Sequence, residues 1–164
     1  AALLEVRFIG RVVETELARF DALGDVGTAV VKRLGYVPKS EVIRELAASH
    51  LTLCLLDDLE VCARIYPAKI FELMYLGRPT LTLAPPGALS RLVSTHELGA
   101  CLPPRDSDAI ASHLIRALQA FRDGRYDISS TSRDIERYHR RALAGDTADV
   151  LREAARMARR GHPG

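Results

Sequence analysis

Residues 51–84 read LTLCLLDDLEVCARIYPAKIFELMYLGRPTLTLA, and this stretch decides the fold. Leu51 to Leu56 is a nearly continuous apolar run, as expected of a parallel strand covered on both faces. Pro67 to Leu76 reads as a helix that stops at Gly77, and Pro79 to Ala84 is the next strand. Strand, helix and strand in this order form a crossover unit, which joins parallel strands with a right-handed connection.

The same alternation extends both ways. Upstream, Glu5 to Ile9 is a short strand ended by Gly10, and Glu14 to Leu23 a helix stopped by Gly24. Thr28 to Val31, continuing through Leu34 to Val37, reads as a second strand. A helix from Glu41 to Ser49 follows, with Ser40 as its cap. Downstream come a short helix, Ala88 to Ser94, and a small strand at Ala100 to Leu102. A long helix then runs through Phe121, capped by Asp106 or Ser107. This order predicts a doubly wound parallel α/β sheet, with ligands bound beyond the carboxyl ends of its strands. From Arg125 the pattern changes. Asp127 to Thr131 is polar, and two Arg-rich helices are expected at about Ser132–Leu143 and Thr147–Arg160. The expected division is residues 1–125 for the α/β domain and 126–164 for C-terminal helices packing on it or across to another domain.

Composition narrows the function classes. The 164 residues are 48% hydrophobic and 27% charged, with a net charge of +2. That suits one domain with its own core and excludes a strongly electrostatic protein. No apolar run approaches the roughly 20 residues of a bilayer span. Cys54, Cys62 and Cys101 lack CxxC spacing, and no His stands at metal-ligand intervals, so no metal site is expected. Cys54 and Cys101 read as small core residues, and a reducing, cytoplasmic setting is the default. Asp57-Asp58-Leu59-Glu60 reads as a solvated loop rather than a divalent-ion site. The absent initiator Met and a strand at the very start give the expectation of a part of a longer protein.

Chemistry concentrates in Arg64 to Pro79. Pro67 fits the first position of a helix, and no Ser, Thr, Asp or Asn precedes it closely. The helix start is therefore uncapped, and its N–H groups can meet an anion such as phosphate. Glu72 sits among Ile70, Phe71, Leu73, Met74 and Leu76, which predicts a helix buried almost all round. A carboxylate there needs a partner: either Lys69, three residues earlier, or a ligand such as the paired hydroxyls of a ribose.

Pro67, Lys69, Phe71-Glu72, Gly77 and Pro79 resemble the P-x-K-x-F-E-x-x-x-x-G-x-P element of bacterial GT-B glycosyltransferases. The likeness falls on their C-terminal, Rossmann-like, nucleotide-sugar-binding domain, of the group 1 or family 4 kind. It continues in Phe8-Ile9-Gly10-Arg11, in Leu34-Gly35-Tyr36-Val37-Pro38 with Ser40-Glu41-Val42, and in Pro85-Pro86-Gly87 with Arg91-Leu92-Val93. Gly99, Pro103-Pro104 and Asp106 follow in order, so coverage is about Leu4 to Leu118.

The resemblance implies that Glu72 holds the ribose of a nucleoside diphosphate sugar of UDP or GDP type. Lys69 and the amides of Tyr66, Pro67's neighbour Ala68 and Lys69 would lie near the pyrophosphate or donor sugar. The loop at Tyr36, Val37 and Lys39 would touch the base. Many retaining members carry E-x7-E, whose first Glu falls here on Arg64. Arg64 suits a phosphate or an acidic sugar and cannot replace a carboxylate.

A second departure is that the family's first strand and helix have no counterpart, which leaves an open position in the sheet and a route to self-association. The acceptor-binding N-terminal domain is also missing, so no catalytic residue is assigned and this chain alone is expected to be inactive. The implied function is donor binding in a hexosyltransferase-like enzyme, with no cofactor. The implied location is the cytoplasm, including peripheral association with the inner face of the membrane. A non-catalytic Rossmann-like interaction or regulatory module is the alternative. The Arg-rich tail (residues 133–160, eight Arg against five acidic residues) is assigned to packing rather than to nucleic acid.

Overall fold

The computed structural model describes residues 4–129 and 134–160. It is an α/β structure, 56% helical, with its strands divided between two parallel sheets. The expected helix start at Ser132, and Ser130 and Thr131 of the polar stretch, lie outside the described residues.

The first sheet pairs β1 (Val6–Ile9) with β2 (Val31–Gly35). Between them run α1 (Glu14–Asp21) and α2 (Gly24–Val30). Here the sequence expectation fails: Thr28 to Val30 belong to α2, and the strand begins only at Val31. The β-branched residues suggested a strand, but tertiary placement overrides such propensities. Next comes α3 (Lys39–Ala48). Its cap position is Pro38, without a side-chain hydrogen bond, so Ser40 lies inside the helix and does not cap it.

The second sheet has the order β3-β4-β5, all parallel, with β3 Thr52–Leu55, β4 Thr80–Leu83 and β5 Gly99–Leu102. A 3₁₀ turn, Glu60–Arg64, and α4 (Lys69–Leu76) connect β3 to β4. Helix α5 (Ala88–Thr95) connects β4 to β5, and α6 (Ser107–Arg122) follows. As expected, Gly77 ends α4 in the left-handed region, and Asp106 caps α6 by accepting from the Ala109 N–H at 2.9 Å. Gly99 is required for another reason. A Cβ there would overlap the Thr80 carbonyl, so only glycine lets β5 approach β4.

The core lies on one face of this second sheet. Cys54 meets Ile70, Leu73 and Met74 of α4 and Leu89, Leu92 and Val93 of α5, all buried. On the same face Thr52 and Thr80 share a hydrogen bond at 2.8 Å, whereas the buried Thr82 hydroxyl has no partner among the described residues. On the opposite face central Leu81 is 3% exposed, but Leu53 and Leu55 of β3 are 38% and 44% exposed. The reading of β3 as a strand covered on both faces is thus corrected. It stands at an edge, and its outer flank has no neighbouring strand among the described residues.

The tail also departs from expectation. A 3₁₀ turn, Ile135–Tyr138, is followed by a single helix, α7 (Arg140–Arg160), instead of two helices. Gly145 does not break it, since glycine costs only about 1 kcal/mol in a helix. Ion pairs one turn apart, Arg152 with Asp149 and Arg156 with Glu153, support the remainder. The 3₁₀ turn is held by Tyr138, whose hydroxyl lies 2.8 Å from His96 Nε2 and whose ring packs against Phe71.

Candidate functional site

Parallel strands place ligand-binding loops beyond their carboxyl ends. At that end of the second sheet lies a depression of about 380 Å³ lined by Leu55, Leu56, Asp57, Cys62, Leu83 and Pro104. A second depression, about 320 Å³, lies at the amino ends beside Leu51, Pro79 and Gly99. The rule for parallel sheets selects the first.

The carboxyl-end loops also carry the residues singled out in the sequence. Helix α4 starts without a side-chain cap, as expected. Its first helical residue is Lys69, however, and Pro67 precedes the cap residue Ala68. Pro67 therefore serves through its carbonyl, which accepts from the Ile70 N–H at 3.0 Å.

Glu72 is not buried. Only Ile70, Leu73 and Met74 of α4 are buried, and the Glu72 side chain is 58% exposed. Apolar neighbours in sequence did not enclose it, because Tyr75 and Glu72 face out while the core takes the other side. Its partner is not Lys69 either. Lys39, at the first turn of α3, donates from Nζ to Glu72 Oε1 at 2.7 Å. The starts of α3 and α4, 33 residues apart at these positions, are thereby joined.

The other candidates surround this pair without converging on one point. Tyr36 is exposed, with the Arg11 guanidinium 5.5 Å from its ring centroid. Val37 and Pro67 are half-buried, whereas Ala68, Lys69 and Arg64 are exposed. The Tyr66 ring lies tilted, 6.4 Å from that of Phe71. None of these residues lines the 380 Å³ depression. Of the residues that line it, Asp57 is expected in a solvated loop, and Pro104 enters only through the family likeness. Arg105, next to Pro104 and marked by no motif, donates to Asp58 at 3.2 Å. The physical signal for these residues is their position directly after strands.

The thiols are chemically quiet. Burial pushes the Cys54 and Cys101 thiols up, keeping them protonated and weakly nucleophilic. Among the described residues no cluster of His, Cys, Asp and Glu could hold a metal ion. Among them, too, no helix is long and apolar enough to cross a membrane. Comparison with protein-family models gives no match, and comparison with curated proteins gives none.

Proposed function

We propose that the chain is the donor-binding, Rossmann-like domain of a GT-B glycosyltransferase and takes a nucleoside diphosphate sugar at the starts of α3 and α4. The observation that carries this reading is the Lys39–Glu72 contact at 2.7 Å. Two segments that resemble the family's base and ribose elements are neighbours in space, at the carboxyl end of parallel strands.

In this reading Glu72 exchanges Lys39 for the two ribose hydroxyls, which donate to its carboxylate oxygens. The uncapped amides at the start of α4, with Lys69 and Arg64, face the pyrophosphate and stabilise charge on the leaving diphosphate. Tyr36, Val37 and Lys39 border the base. The acceptor is held by a separate domain, and transfer takes place between the two. A cytoplasmic setting at the inner membrane face accords with this activity.

Calorimetric titration with UDP and with GDP tests the proposal. Glu72→Ala should weaken binding about tenfold to a hundredfold, the range for hydrogen bonds to a charged group. Because Glu72 is exposed, this variant keeps its fold. A folded chain that binds neither nucleotide overturns the reading. It would then favour an interaction module, for which the exposed Leu143, Val150 and Leu151 of α7 offer a surface.

A further inference from the structure

The depression at the amino ends of the second sheet is bordered by a strap of chain fastened at several points. After α6 the backbone turns at Gly124, in the left-handed region, and the Arg125 N–H donates to the Ala120 carbonyl at 2.8 Å. Beyond the turn, the Tyr126 hydroxyl donates to the His50 carbonyl at 3.1 Å, just before β3. Arg78, just before β4, donates to the Ile128 carbonyl at 3.2 Å. Burial pushes the Tyr126 phenol up, so it remains a donor at neutral pH.

The space between strap, sheet and α6 is about 320 Å³, near the lower end of the roughly 300–1,000 Å³ of small-molecule sites. Part of its wall is aliphatic: Leu51, Pro79, Ala117 and Ala120. Its polar side chains come from two elements. His113 and Arg116 share one face of α6 with the two alanines, and Arg125, Tyr126 and Asp127 come from the strap.

The strap's charges are already engaged. Asp127 Oδ1 accepts from the Ser129 N–H at 2.8 Å and its hydroxyl at 2.7 Å, and Arg125 pairs with Asp123 at 2.5 Å. The α6 pair differs. Neither Arg116 nor His113 has a hydrogen-bond or ion-pair partner among the described residues. Burial, reinforced by Arg116, holds the His113 imidazole below its ordinary 6.5, so at pH 7 it offers one N–H and carries no charge. A single unpaired guanidinium matches one carboxylate, which it can grip with two parallel hydrogen bonds. A phosphate monoester, with nearly two charges, would leave one unmatched.

We infer that this depression binds a compact organic monoanion, with its carboxylate against Arg116 and His113 and a small apolar body on the aliphatic wall. The site lies at the opposite ends of the strands from the starts of α3 and α4. Its ligand therefore does not compete with a nucleotide there, and the inference stands or falls independently of donor binding.

An NMR titration of the whole chain with benzoate tests this. The His113 ring and the Ala117 and Ala120 methyl resonances should move together, with a dissociation constant of about 1 mM or below. Benzyl alcohol, the same ring without the charge, should bind at least about tenfold more weakly. Arg116→Gln should weaken benzoate binding about threefold to tenfold, a range reduced by solvent at this exposed side chain. Arg122→Gln removes the same charge from an exposed position of α6 that does not line the depression, and should bind as the parent chain does. Both side chains are exposed, so both variants keep the fold. No movement at these three residues up to about 10 mM benzoate overturns the inference. So does an equal loss in the two variants, which would mean attraction to surface charge alone, or equal binding of benzyl alcohol.

Discussion

The two sheets are built from the same parallel βα elements, yet nearly all the buried side chains belong to one. Between Leu4 and Ala48 only Gly27 is buried among residues whose burial is described. From Thr52 to Leu98, α4 and α5 close over the sheet and bury Ile70, Leu89, Val93 and Leu98 to 1% exposure or less. The β1–β2 region instead relies on partial contacts. Phe8 meets Phe20 edge-on at 4.8 Å, Arg33 lies 5.9 Å from the Phe20 ring centroid, and Arg7 pairs with Glu45. A crossover unit needs a covered sheet face to become stable, and two strands with short helices do not provide one.

The largest effect should come from attacking this asymmetry directly. Ile70→Ala leaves a cavity in the closed core and should cost about 2–5 kcal/mol in urea unfolding. Phe20→Leu, in the open region, loses an aromatic pair and should cost only about 0.5–1.5 kcal/mol. Equal costs would mean that the two sheets share one core, contrary to the burial pattern.

A smaller effect is expected at the junction. A double-mutant cycle on Lys39 and Glu72 should give a coupling of about 0.2–1 kcal/mol, screened by salt, since both side chains are largely exposed. A coupling of zero would leave the helix starts of the two regions energetically independent.

The smallest concerns acid. Burial, reinforced by Arg116, pushes the His113 imidazole below its ordinary 6.5. At pH values between the folded and unfolded pKa the unfolded chain binds the extra proton. Stability should therefore decline slightly as pH falls through about 6.5, and level off below the folded pKa. His113→Gln should flatten that part of a stability–pH curve. An unchanged slope would assign it to other groups.

The second sheet was legible in the sequence because its signals are local. Apolar runs set β3 and β4, Gly77 sets the end of α4, and Asp106 sets the start of α6. The first sheet was partly misread at Thr28 to Val30, where β-branched residues favour a strand and the surrounding fold imposes a helix. The tail, expected as two helices parting near residues 143–147, is one helix there, because Gly145 is carried by the turns on either side. The candidate site was less legible still. Lys39 and Glu72 were each singled out, but their contact depends on how α3 and α4 are set against each other. No spacing within either segment encodes that. The same holds for Tyr138 and His96, which meet across 42 residues.

Tyr138 gives the tail a fulcrum. Its ring and hydroxyl are pinned against Phe71 and His96, next to the buried face of α4, while α7 leaves this point as 21 continuous residues. At 1.5 Å per residue such a helix reaches roughly 30 Å. A tilt of about ten degrees at the pinned end would sweep its tip through about 5 Å, the rise of one helical turn. Small adjustments of packing around Phe71, one residue from Glu72, would therefore be mechanically magnified at the far end of α7.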